Sequence, residues 1–73
     1  MQAKSSPKVR RAVLGLVLHE HPSELSPADL RREFGEEVWQ AVVDLQGDEL
    51  LRWEKDRIGP TRAALAFYLL DLS

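Results

Sequence analysis

The densest chemical run is His19-Glu20-His21, with Glu24 close behind. Imidazole and carboxylate are zinc ligands, so the run invites a metal reading. There is no HExxH pattern, however, and the spacing matches no standard site. Histidines near a helix C-terminus are favoured by the helix dipole in any case. The chain has no cysteine, which removes disulfides, thiolate metal sites and cysteine nucleophiles. It also lacks a glycine-rich phosphate loop, a nucleophile motif and a convincing acid pair. The sequence therefore predicts no enzyme activity, no catalytic residue, no metal and no cofactor.

What remains is binding chemistry, and the charge pattern organises it. The net charge of −2 is strongly segregated. Residues 1–18 carry Lys4, Lys8, Arg10 and Arg11 and no acid, whereas residues 19–50 carry nine acids against Arg31 and Arg32. A basic N-terminal stretch could meet phosphates, while the acidic body would repel them. "KVRRAVLGLVL" has the basic start and apolar run of an export signal, but "HEHPSELS" follows it with no small-residue cleavage site. No apolar run reaches the roughly 18 residues of a membrane span. The expected location is cytoplasmic, with no membrane partner.

A chain of 73 residues with 44% apolar content makes one domain, and at this size about 60% of its unfolded surface becomes buried. Ser6-Pro7 starts a first helix, with Ser6 as cap and Pro7 at the first helical position. Its apolar residues Val9, Ala12, Val13, Leu16 and Val17 recur at helical spacing, with Leu14 and Leu18 as a second stripe and Gly15 as a close-packing point. That helix ends near Glu20, because Pro22 cannot continue it. Glu24 and Leu25 suit a sheet edge. Ser26-Pro27-Ala28-Asp29 starts a second helix with a capping-box pattern, in which Leu30 and Phe34 face the core. Gly35 stops it with a positive φ. A third helix opens at Glu36 and Glu37, whose charges suit its N-terminal dipole, and Val38, Ala41, Val42 and Leu45 form its buried face. Two helices joined by a glycine turn make a helix-turn-helix. Leu51-Arg52-Trp53-Glu54 then alternates as a half-exposed strand, Lys55-Asp56 reverses the chain, and Arg57-Ile58 returns. Gly59-Pro60 begins a last helix.

The pieces "ELSPADLRREFG", "EEVWQAVVDLQGDELLRWEKD" and "IGPTRAALAFYLL" together resemble the winged helix-turn-helix domain of bacterial transcription regulators of the MarR-like and PadR-like kind. The resemblance spans nearly the whole chain. It departs at Glu49, where those families place a glycine, in a short wing, and in a recognition helix without Ser, Thr or Arg. The implied fold is α+β and mostly helical, with a three-helix core, a short two-stranded wing and a C-terminal helix over residues 7–73, behind a basic arm at 1–6.

On that fold the outward side chains of the third helix would be Glu36, Glu37, Gln40, Val43 and Asp44, with Trp39 at the flank. They would face the major groove of double-stranded DNA, where Gln40 is the base-reading candidate for adenine. Phosphate contacts would come from Lys4, Lys8, Arg10, Arg11, Arg31, Arg32, Lys55 and Arg57. Against this, Arg31 and Arg32 can pair with Glu33, Glu36 or Glu37. Trp39 and Val43 make an apolar patch that, with Glu36 and Asp44, suits a basic protein partner, unless Trp39 folds back on Trp53 or the second helix. The last helix is apolar on two sides: Leu65, Tyr68, Leu69 and Leu72 on one, Ala63, Phe67 and Leu70 on the other. The second face, with Leu14 and Leu18, is a candidate homodimer seam, unless the final turns fray or pack on the first helix. The leading expectation is a DNA-binding regulator acting mainly through backbone contacts. The alternative is a winged-helix protein-interaction and dimerisation module.

Overall fold

The first helix, α1 (Pro7–Glu20), begins where Ser6 accepts hydrogen bonds from the amides of Lys8 and Val9 through its hydroxyl, at 3.1 and 3.3 Å. The computed structural model describes residues 5–72 of the chain. Lys4 lies outside them. Val13 and Val17 are the buried residues of α1. Ala12 and Gly15 are exposed instead of packed, and beyond the neighbouring backbone of α1 nothing described lies within 4 Å of where a Cβ on Gly15 would stand. The apolar residue Ala12 thus falls just beyond the strip that the other elements cover.

Helix α2 (Pro27–Phe34) carries the capping box that its sequence predicts: the Asp29 amide donates to the Ser26 hydroxyl, and the Ser26 amide donates to the Asp29 carboxylate. The two bonds satisfy amides that the first turn of a helix leaves without partners. Gly35 ends α2 with a φ of 83°, a backbone state that glycine adopts without strain. Helix α3 (Val38–Gly47) follows. It starts two residues later than the sequence predicts, because Glu36 and Glu37 form the preceding turn and no side chain caps the helix. Its buried face is Val38, Ala41, Val42 and Leu45.

Strands β1 (Leu51–Glu54) and β2 (Arg57–Pro60) pair antiparallel, with Trp53 opposite Ile58 and Leu51 opposite Pro60. Leu25 bridges to Ile58 through reciprocal backbone bonds of 2.7 and 3.0 Å, which gives the expected sheet-edge contribution. Gly59-Pro60 completes β2 and does not begin a helix. The helix start lies at Thr61, whose hydroxyl accepts the Ala64 amide at 3.2 Å and donates to the Glu49 carbonyl at 2.6 Å. Helix α4 (Arg62–Leu72) runs on from there. The pairing of Leu51 with Pro60 keeps that proline in the strand.

Among the described residues, four helices and a two-stranded antiparallel sheet make a mostly helical α+β fold. The core joins α1 (Val13, Val17), α2 (Leu30), α3 and the hairpin (Leu51, Ile58). Leu30 and Ile58 are fully buried, and burying each contributes about 1.5–3 kcal/mol. No described helix is long and apolar enough to cross a membrane.

Candidate functional site

The surface around α3 divides into two sides. On one side, Asp44 turns toward the start of α1 and away from solvent, with only 12% of its side chain exposed. Its carboxylate accepts from the Ser5 hydroxyl at 2.7 Å, the Ser5 amide at 3.0 Å and the Gln40 amide at 3.1 Å. The Arg10 guanidinium lies 3.7 Å away and also donates to the Ser5 carbonyl. The Ser5 hydroxyl and then the Ser5 amide hold the Asp44 carboxyl below its ordinary value, with smaller help from Gln40 and Arg10 against the cost of burial. The expected outward positions of Asp44 and Gln40 are therefore corrected. Both are partly buried, and Asp44 and Arg10 serve a contact between α1 and α3. A helical wheel turns them outward, but Ser5, just ahead of α1, covers that side.

The other side is open. Glu36 and Glu37 are exposed, and Val43 is 54% exposed. Trp39 does not stand free, because its ring stacks on Trp53 of β1 at 5.7 Å with 21° between the planes. The Trp53 indole donates to the Lys55 carbonyl at 2.9 Å, so the pair ties α3 to the hairpin turn. Aromatic pairs of this kind contribute about 0.5–1.5 kcal/mol beyond their buried area.

Four of the eight predicted phosphate-binding cations, Arg10, Arg31, Arg32 and Arg57, lie in ion pairs. Arg31 pairs with Glu36 at 2.6 Å and Arg32 approaches Asp29 at 4.0 Å. Asp29 is held below its ordinary value by the Ser26 amide and then the Ser26 hydroxyl, with Arg32 a lesser cause. Arg57 lies 3.8 Å from Glu24. Lys8, Arg11, Lys55 and Arg62 form no ion pair among the described residues. Such exposed pairs add little stability, yet each one cancels a charge that a phosphate would need.

Sequence reasoning missed three residues. Arg52 bridges Glu24 at 2.9 Å and Glu54 at 3.4 Å, and alternation along β1 had only shown that it faces out. Thr61 clamps α4 to the loop before β1, and its N-cap type was the signal available. Ser5 binds Asp44 across 39 positions of sequence, and no local pattern announces that. His19 and His21 are exposed at the end of α1, and among the described residues no cluster of three or more His, Asp and Glu could hold a metal.

Helix α4 presents the largest apolar exposure. Phe67, Leu69 and Leu70 are 69%, 62% and 71% exposed. Leu69 thus leaves the covered face on which the sequence placed it, and Ala64 is the buried residue there. A groove of about 430 Å³ between α4 and α1 is lined by Leu14, Leu18, Leu50, Ala64, Phe67 and Tyr68. It collects three of the five predicted seam residues, and Ala63 and Leu70 lie outside it. No protein-family model, curated protein or solved structure matches this chain.

Proposed function

We propose that this chain is a non-enzymatic protein-interaction module on a winged-helix scaffold, docking a basic partner through the open side of α3. The supporting observation is the charge state of that side. From Glu33 to Leu51 the sequence holds no base, Glu36 and Glu37 stand exposed on that side, and the arginines of the preceding helix lie against carboxylates. Phosphate would meet like charge there, with a local field that repels it. A cationic protein surface would meet Glu37 and, in competition with Arg31, Glu36, while Val43 offers an exposed apolar contact. The natural probe is a lysine- and leucine-rich amphipathic peptide added to the isotope-labelled protein. Amide shifts clustered at Glu36, Glu37 and Val43 are expected. Shifts that map elsewhere, or none at all, would overturn the proposal.

A second reading, double-stranded DNA held mainly by its backbone, is favoured by one observation. Lys8, Arg11 and Lys55 are cations without an ion-pair partner among the described residues. They sit on α1 and at the hairpin turn, and each could take one phosphate. Gln40, the base-reading candidate, donates to Asp44, so reading adenine would first require breaking that bond.

A further inference from the structure

We propose that α4 is the seam of a homodimer in which two copies pack antiparallel, with the two-fold axis passing between positions 66 and 67. The body of the domain buries Ala64 and partly covers Leu65 and Tyr68. On the opposite side Ala63, Ala66, Phe67 and Leu70 recur at the i, i+3, i+4, i+7 spacing of a single helical face, and all four are exposed. No residue from Ala63 to Leu70 is charged. A charged partner would find nothing to pair with on this face.

The order of sizes along the face sets the direction of packing. With the axis between positions 66 and 67, Ala63 meets Leu70 of the partner subunit, and Ala66 meets Phe67 of the partner subunit. Every large side chain faces a small one, which lets the helix axes approach to about 8–10 Å without voids. A parallel pair would set Phe67 against its own copy and alanine against alanine, crowding one level and emptying another. The face is therefore complementary to itself reversed, and a second copy is the occupant that fits.

The exposed area points the same way. Phe67 and Leu70 leave roughly 270 Å² of this face exposed between them, to which Ala63 and Ala66 add. A standard interface takes about a tenth of a small protein's surface, which here is about 530 Å² of 5312 Å². The groove wall of Leu14, Leu18 and Leu50 adjoins the face, because Phe67 forms part of that wall, so helix face and groove are one continuous apolar surface. The seam lies on a different element from the open side of α3, so either can fail without the other.

Sedimentation velocity on the full chain tests the dimer, and cysteine cross-linking tests its direction, since the chain has no cysteine of its own. Ala63 and Ala66 are exposed, so replacing them leaves the fold intact. In the antiparallel pair position 66 is offset along the axis by only about 1.5 Å from its own copy, so the lateral gap between the helices sets their separation, near the 4.4–6.8 Å between Cα atoms that a disulfide needs, whereas the offset of about 10.5 Å at position 63 alone exceeds it. Ala66→Cys is expected to cross-link to itself and Ala63→Cys is not, while a mixture of Ala63→Cys with Leu70→Cys cross-links. Leu70→Glu is expected to weaken self-association by about tenfold or more with unchanged helicity. A chain that stays monomeric at every concentration overturns the dimer. A dimer in which Ala63→Cys links to itself as well as Ala66→Cys does overturns the direction, and a dimer that none of these positions cross-links overturns the seam.

Discussion

Replacing Glu49 with glycine should make this protein more stable, even though it removes a side chain. Glu49 sits at φ 62°, in the left-handed region where a side chain costs an L-residue roughly 1–2 kcal/mol. Its side chain is exposed and forms no ion pair among the described residues. Only its backbone is used, donating to the Gln46 carbonyl at 2.9 Å and accepting from the Thr61 hydroxyl at 2.6 Å. Glycine keeps both bonds. The greater freedom of glycine in the unfolded chain offsets about 0.4–1 kcal/mol of the gain, leaving from the middle of both ranges a net stabilisation of about 1 kcal/mol. In a domain of this size that raises Tm by about 4–8 °C. Glu49→Gln serves as the control, because it removes the charge and keeps the strained backbone. Urea denaturation of wild type and both variants, fitted for midpoint and slope, separates the two effects. If Glu49→Gly is no more stable than Glu49→Gln at an equal slope, the reasoning from backbone strain is refuted.

Three further outcomes follow from the geometry. The Asp44 carboxyl is held below its ordinary 3.8, so its contribution is fully present above that pH and is lost as pH falls below it. Asp44→Asn should therefore lose less of its urea midpoint than wild type on acidification from about pH 5 to about pH 1. Ser26→Ala removes one half of the α2 capping box and should cost about 1 kcal/mol of unfolding free energy. Trp39→Ala should abolish the near-ultraviolet circular dichroism arising from the stacked Trp39–Trp53 pair, and lower stability by at least the roughly 0.5–1.5 kcal/mol of the aromatic contact.

Local chemistry made much of the fold legible before any coordinates. Ser6-Pro7, the Ser26–Asp29 capping box and Gly35 each act within a few residues, so α1, the start of α2 and the turn after it could be read directly. The buried face of α3 followed from helical spacing alone. Gly59-Pro60 misled because a proline opening a helix and a proline ending a strand look the same until the pairing of Leu51 with Pro60 is known. The candidate site was less legible. Which side of α3 meets solvent depends on Ser5 reaching Asp44, a contact between distant segments. The cancellation of Arg57 by Glu24 likewise depends on where the segment after α1 crosses the hairpin. The apolar excess of α4 was visible, but Leu69 was assigned to the wrong side, because helical periodicity does not say how little of a helix the body covers.

The central claim is that the open side of α3 receives protein and not nucleic acid. Fluorescence anisotropy of labelled mixed-sequence duplex DNA, titrated with the protein at about 50 to 200 mM salt, tests it most directly. A protein-docking α3 predicts no saturable binding below about 100 µM even at the lowest salt. Micromolar binding that weakens steeply with salt, and disappears when Arg31, Arg32, Lys55 and Arg57 are all replaced by alanine, would contradict it.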